Sequence, residues 1–276
     1  MKKLIINLAP TGIIPTKKMT AHVPITPEEI ANDVFACREL GVSMVHLHAR
    51  DEEGKPTYRK DIYARIIAKI REKCPDLIIV VSTSGRIYSE FAKRGEVLDL
   101  TGDEKPAMAS LTLSSLNFVG SASVNSPDVI IKLAEKMREK EIKPELEVFD
   151  LGMVNYAQYL ITKEILTPPY YFNILLGNIA TAQARFTHLG LITSELPDNS
   201  YWAVGGIGNW QKKMTTIGVI AADGVRIGLE DQIWWDDART IKATNVDLVK
   251  RINNLAHLLE RPLASPQEAK IFLGLQ

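Results

Sequence analysis

The chain has 276 residues, with 33 Lys+Arg against 33 Asp+Glu, so its formal net charge is zero. Hydrophobic residues at 46% and charged residues at 24% lie near globular averages and exclude wholesale disorder. Neutrality argues against nucleic-acid binding, which needs a basic surplus to meet phosphates, and it favours self-association.

The predicted elements alternate between β-branched runs and amphipathic stretches. Leu4–Ala9 reads as a first strand; Asn7 and Pro10 break its apolar run too early for a signal peptide. Pro27–Leu40 reads as a helix with Thr26 as N-cap, Pro27 at the first position and Glu29 completing a capping box. Strands follow at Met44–Ala49, Leu77–Thr83, Met108–Leu113, Glu145–Asp150, Tyr171–Leu176, Trp202–Gly206 and Val225–Glu230. The intervening helices are Ile62–Lys73, Pro127–Lys140, Gly152–Lys163, Thr181–Thr193, Trp210–Ala221 and Thr244–Leu259. After the third strand only Glu90–Gly95 is helical, and the polar stretch Gly95–Pro106 reads as a loop. Arg261–Pro266 is extended and leads into a last short helix.

Eight strands with helices between them predict a single (β/α)8 TIM-barrel domain over residues 1–276. The rival, a doubly wound open sheet, lacks a Gly-x-Gly-x-x-Gly after the first strand. The two cysteines, Cys37 and Cys74, fall in segments read as helical and give no disulfide framework. With no run of about 18 apolar residues to cross a membrane, the expectation is a soluble cytoplasmic protein.

The sharpest chemical signal is His46-Leu47-His48. In a strand, residues two apart share a face, so both imidazoles point one way at the end where barrel active sites are built. A metal-ligand pair and a pair of hydrogen-bonded buried histidines both fit this spacing. In Arg226-Ile227-Gly228-Leu229-Glu230-Asp231 an acidic pair closes an apolar strand. Arg226, Gly228 and Glu230 share strand parity, and the eighth strand lies two away from the second around a closed barrel. Glu230 is then placed to complete a His–His–Glu set, the alternative being a buried Arg226–Glu230 salt bridge.

Hydroxyls cluster at Ser82-Thr83-Ser84-Gly85 and at Ser110, Thr112 and Ser114, while Glu145 and Glu147 share one face of the fifth strand. One of the two acids facing inward and both solvating a strand end are the two readings this pattern leaves open. His22 falls in the loop after the first strand, His188 reads as structural, and His257 as a helix residue at the core edge.

Together with Ala9-Pro10-Thr11-Gly12, Thr26-Pro27-Glu28-Glu29, Pro144 to Met153, Trp202 to Gly208 and Arg261 to Pro266, these segments resemble the β-keto acid cleavage enzymes, typified by 3-keto-5-aminohexanoate cleavage enzyme. The matching stretches run in the family's order through nearly the whole chain. The resemblance implies a zinc-dependent barrel, one Zn2+ per chain, assembled as a homotetramer. Its partners would be a small β-keto acid and acetyl-CoA, giving acetoacetate and an acyl-CoA. It places the metal on His46, His48 and Glu230, the catalytic pair on Arg226 and Asp231, and substrate contacts on Ser82, Gly85 and Ser110. Asp231 is the candidate general base, with Glu147 next in line.

Three positions depart from the family pattern. Ile14 stands where the aminohexanoate enzyme has an acid for the substrate ammonium, so a neutral or apolar tail is expected. Gly177-Asn178-Ile179-Ala180-Thr181 replaces a glycine-rich loop, and Asn209 replaces a basic residue, which bears on how acyl-CoA is held. Two other readings remain at this stage: a hydrolytic metallo-barrel of amidohydrolase type, and a non-catalytic metal-binding barrel.

Overall fold

The computed structural model describes residues 2–275. Eight parallel strands form a closed barrel: β1 (Ile5–Leu8), β2 (Met44–Leu47), β3 (Ile78–Val81), β4 (Met108–Thr112), β5 (Lys143–Val148), β6 (Tyr170–Leu176), β7 (Ser200–Gly206) and β8 (Gly224–Ile227). Closure rests on the register Ile5↔Gly224 through Leu8↔Ile227, which excludes the open sheet. Around it lie α1 (Pro27–Arg38), α2 (Lys60–Lys73), α3 (Phe91–Arg94), α4 (Pro127–Glu139), α5 (Leu151–Thr162), α6 (Phe186–Ser194), α7 (Trp210–Ala221), α8 (Asn245–Leu258) and α9 (Pro266–Leu273). The capping box at Thr26 and Glu29 is present, and boxes at Thr244/Asp247 and Ser265/Glu268 start α8 and α9 in the same way.

Most boundaries match the sequence pattern; four differences have physical causes. β2 ends at Leu47 because Ala49–Arg50 leaves the barrel to pair antiparallel with Pro56–Thr57. β8 ends at Ile227 because Gly228 turns the chain at φ 154°, where a Cβ would lie 2.1 Å from the Ala9 carbonyl oxygen. Helix α6 starts at Phe186, not Thr181, because Gln183 gathers the preceding loop. Its amide N–H donates to His188 Nδ1 and its side chain to the Asn178 and Thr181 carbonyls. The stretch after α3 holds two 3-10 turns, Glu96–Asp99 and Gly102–Glu104, within the expected loop.

Inward positions change character along the barrel axis. At the N-terminal end they are apolar: Ile5, Met44, Ile78, Val80, Met108 and Tyr171 pack with Ala264, Ala269 and Leu273, so α9 closes that end. Buried Arg261 anchors the approach to α9 by donating to the Gly218, Val219 and Ala222 carbonyls. One pleat further on, the same faces turn polar, with Asn7 after Ile5, His46 after Met44, Ser110 after Met108, Asn173 after Tyr171 and Arg226 after Gly224, all buried. Apolar closure below and buried polar groups above direct the chemistry to the C-terminal ends of the strands.

Candidate active site

Glu145 organises the polar interior. Fully buried, it accepts from Asn7 Nδ2 at 2.6 Å and Asn173 Nδ2 at 3.2 Å through one oxygen. Its other oxygen lies 2.6 Å from His46 Nδ1. A carboxylate only accepts, so Nδ1 carries a proton, and in the neutral ring Nε2 keeps its lone pair. That Nε2 faces His48 Nε2 at 3.4 Å, and His48 Nε2 lies 3.1 Å from Glu230 Oε1. Burial and the Arg226 charge oppose a proton on His46, but Glu145 and Glu230 together outweigh them and the His46 pKa is raised; burial lowers that of His48.

Nitrogen and oxygen atoms of His46, His48 and Glu230 lie within 4.8 Å of one another, as do those of His46, Glu145 and Glu147. Only the first set has spare ligand atoms. Glu145 is spent on three N–H groups, and Glu147 accepts from Thr112 Oγ1 at 2.6 Å and Arg226 Nη1 at 3.2 Å. By contrast Glu230 Oε2 is buried with no hydrogen-bond partner among the described residues, an acceptor left to be satisfied by something else. Two Nε2 atoms, that of His48 once it gives up the proton it shares with Glu230, and an orphaned carboxylate oxygen are a donor set that fits a divalent cation such as zinc.

Arg226 holds the acids beside this set. Its buried guanidinium donates to Glu230 Oε1 at 2.7 Å, Glu147 Oε1 at 3.2 Å and Asp231 Oδ2 at 3.1 Å. Parity does not place Glu230, since both acids lie past the strand; the turn at Gly228 does. Burial opposes charge on Glu230, yet Arg226 holds its carboxyl below the usual range. Asp231 is pushed up to about 6 by burial, which Arg226 opposes and the Glu230 charge reinforces.

Three supports of this geometry escaped sequence reasoning. Gly12 lies against Glu230, where a Cβ would meet Cγ at 2.5 Å. Asn245, fully buried, accepts from the Leu229 amide at 2.8 Å and donates to the Pro10 carbonyl at 3.0 Å. Arg50 ties down the loop after β1 by donating to the carbonyls of Gly12 and Pro15. Gly12 closes the Ala9-Pro10-Thr11-Gly12 stretch, but nothing local to Asn245 beyond the neighbouring helix cap marks it.

A cavity of about 310 Å³ opens over these groups, lined among others by His48, Glu147, Arg226, Glu230, Asp231, Ser82 and Ile14. Ser110 and Gly85 are not among its lining residues. Ser110 Oγ accepts from the Thr83 amide, and Thr112, one pleat higher, lines the cavity instead. Gly85 packs beneath Val124, whose amide donates to its carbonyl, and so shapes the wall from behind. Both Glu145 and Glu147 face inward, and neither solvates a strand end. A larger cleft of about 450 Å³ lies at the opposite end, against Lys143, Pro169 and Gly274, and contains none of these residues.

The remaining histidines stay apart. His22 is exposed, His188 caps the loop before α6, and His257 is on the solvent side of α8 and not at the core edge. None joins the His46 cluster, which removes the extra ligands an amidohydrolase-type site needs.

The sequence matches the family description "beta-keto acid cleavage enzyme" over residues 3–275. It is 36% identical over 277 residues to a 3-keto-5-aminohexanoate cleavage enzyme of Fusobacterium nucleatum subsp. nucleatum, covering 100% of this chain and 99% of that one. A 3-oxoadipate:acetyl-CoA acetyltransferase of Cupriavidus necator is 32% identical, with 98% and 94% covered. Among solved structures, the apo structure of ObcA superimposes with a TM-score of 0.81 at 20% identity, over 92% of this chain and 66% of that chain, a likeness of fold.

Proposed function

The chain belongs to the β-keto acid cleavage enzyme family, and we propose that it cleaves a β-keto acid with acetyl-CoA, giving acetoacetate and a new acyl-CoA. In this exchange the bond between C2 and C3 of the keto acid breaks. Its acyl group passes to the CoA sulfur, and the acetyl group takes its place on C2. The observation that carries the reading is one guanidinium, Arg226, gripping Asp231, Glu147 and Glu230 beside the two imidazoles. His46 Nε2, His48 Nε2 and Glu230 would hold one zinc ion per chain. When bound, zinc supplies Lewis acidity toward the keto oxygen.

The protein's own residues divide the remaining work. Asp231 takes the proton from C2, and Arg226 keeps it oriented and favours its charged form. Ser82 Oγ already accepts from the Ser84 amide, which leaves its hydroxyl hydrogen to donate to the substrate. Thr112 spends its hydroxyl hydrogen on Glu147 and so offers a lone pair, while Ser110 acts from the layer beneath the cavity and Gly85 from behind its wall. Ile14 lines the cavity, which supports a neutral or apolar substrate tail. The same reading takes residues 1–276 as a single domain and the protein as a cytoplasmic homotetramer. Zero net charge and the free buried cysteines Cys37 and Cys74 favour it.

Metal analysis followed by an acyl-CoA-forming assay tests this. The expected result is about one divalent ion per chain, lost in His46→Ala and in Glu230→Ala. Stoichiometric metal in His46→Ala/His48→Ala would overturn the ligand assignment. Cleavage without thioester would favour the hydrolytic reading, and metal without turnover the non-catalytic one.

A further inference from the structure

The ionisable side chains lining the cavity are His48, Arg86, Glu147, Arg226, Glu230 and Asp231. The acids all engage Arg226, and His48 faces Glu230. Among the described residues, no carboxylate lies within ion-pair distance of Arg86, although it is half-buried and charged at every relevant pH.

Arg86 is nonetheless held in place. Its guanidinium carbon stacks 4.0 Å from the centroid of the Phe118 ring, and Nε donates to Ser121 Oγ at 2.9 Å. Phe118 packs edge-on against Phe149 at 5.9 Å between centroids. Both contacts of Arg86 belong to the hairpin whose arms are Leu116–Asn117 and Ala122–Ser123, at the rim of the cavity. Stacking fixes the plane of the fork and leaves its two terminal nitrogens without a hydrogen bond to any of the described residues. A guanidinium immobilised against apolar surface, with donors unspent, is organised for an oxyanion arriving from outside.

We infer that Arg86 is an anion-binding, specificity-determining residue of this cavity, which receives a carboxylate or phosphate group carried by one of the two ligands. The inference rests on the cleavage reading only for the identity of those ligands. The group is either a carboxylate at the distal end of the β-keto acid or a phosphate of CoA. In either case Arg86 also repels an ammonium and so acts in the same sense as Ile14. If the carboxylate is the source, the substrate tail is anionic and replaces the neutral one.

Calorimetric titration of the wild-type protein, Arg86→Met and Arg86→Lys with 3-oxoadipate, 3-oxohexanoate and CoA tests this without turnover. The two keto acids differ only in the distal carboxylate. Loss of a charged hydrogen-bond partner should weaken one anionic ligand by about 10–100-fold in Arg86→Met, with partial recovery in Arg86→Lys. If the tail is the source, the loss falls on 3-oxoadipate and spares 3-oxohexanoate. If CoA is the source, it falls on CoA. Kinetics with S-acetyl-N-acetylcysteamine, a thioester without phosphates, then lose their dependence on residue 86. Affinities within about twofold of wild type for all three ligands, equal weakening that includes 3-oxohexanoate, or no binding by the wild-type protein would each overturn it. Wild-type protein that forms no acyl-CoA from any keto acid would sink the cleavage reading alone, and the titrations would still decide Arg86.

Discussion

Replacing Glu145 by Gln tests whether the His46 cluster is a metal centre or a buried hydrogen-bonded pair. The carboxylate accepts three N–H groups, from His46, Asn7 and Asn173, and an amide has a single oxygen with which to replace it. The fold can absorb the change, because Asn7 Oδ1 and Asn173 Oδ1 are buried without partners and either can accept from the new NH2 after a flip. The amide oxygen then stays on His46 Nδ1, and what is lost is charge. A neutral partner makes the imidazole a weaker ligand, and such outer partners are worth about 10–100-fold in metal affinity. Glu145→Gln is therefore expected to weaken zinc by that factor, about 1.4–2.7 kcal/mol, with circular dichroism and thermal midpoint close to wild type. Competition with a chromophoric chelator at fixed pH reads the affinity directly. Unchanged affinity in a folded variant would refute the argument that Glu145 tunes His46 as a ligand.

Asp231→Asn should keep metal and fold but lose about 10²–10⁴-fold in kcat, the usual contribution of a general base; near-normal turnover would pass the role to Glu147. Ile14→Glu should raise kcat/KM for 5-amino-3-ketohexanoate relative to 3-ketohexanoate, since a carboxylate offsets ammonium desolvation and removes apolar contact worth about 0.8 kcal/mol per methylene. No change in that ratio would show that Ile14 does not meet the tail. Asp33, bonded to Asn245 and half-buried, is pushed up to about 6 by burial, against hydrogen bonding from Asn245 and the charges of Lys17 and His22. Between pH 4 and 6 the native state then binds more protons than the unfolded state, so this site stabilises the fold as pH falls and costs stability above about 6. Asp33→Asn should accordingly gain up to about 3 kcal/mol in urea unfolding at pH 8 and almost nothing at pH 4. A gain independent of pH would refute the assignment.

The architecture was legible because each strand is a short apolar run whose flanking helices carry their own start signals, as at Thr26. Strand ends were less legible. Periodicity runs on through Ala49 and Glu230, but the chain leaves the barrel at Leu47 and at Ile227. Two long-range facts decide that: antiparallel pairing of Ala49 with Thr57, and the approach of Gly228 to Ala9. Neither is encoded in the local pattern.

Within the site, parity gave direction but not depth. Ser110 and Thr112 have the same parity, as do Glu145 and Glu147, so pattern alone makes each pair equivalent. The barrel's stagger separates them. Ser110 sits opposite Glu145 and Thr112 opposite Glu147, which sends the lower pair into the hydrogen-bonded layer under the His46, His48 and Glu230 cluster and the upper pair into the cavity wall. The same stagger brings His46, two strands away around the barrel from Arg226, to the carboxylates that Arg226 holds. A sequence reading could find the His-x-His and the Arg-x-x-x-Glu-Asp because each is local. It could not find Glu145 as the partner of His46, because a sequence separation of 99 and the shear of the whole sheet set them apart. A His-x-His motif in such a barrel is thus only half of a metal-site prediction. The other half is an inward acid whose depth matches the first imidazole, and depth is a property of the closed sheet.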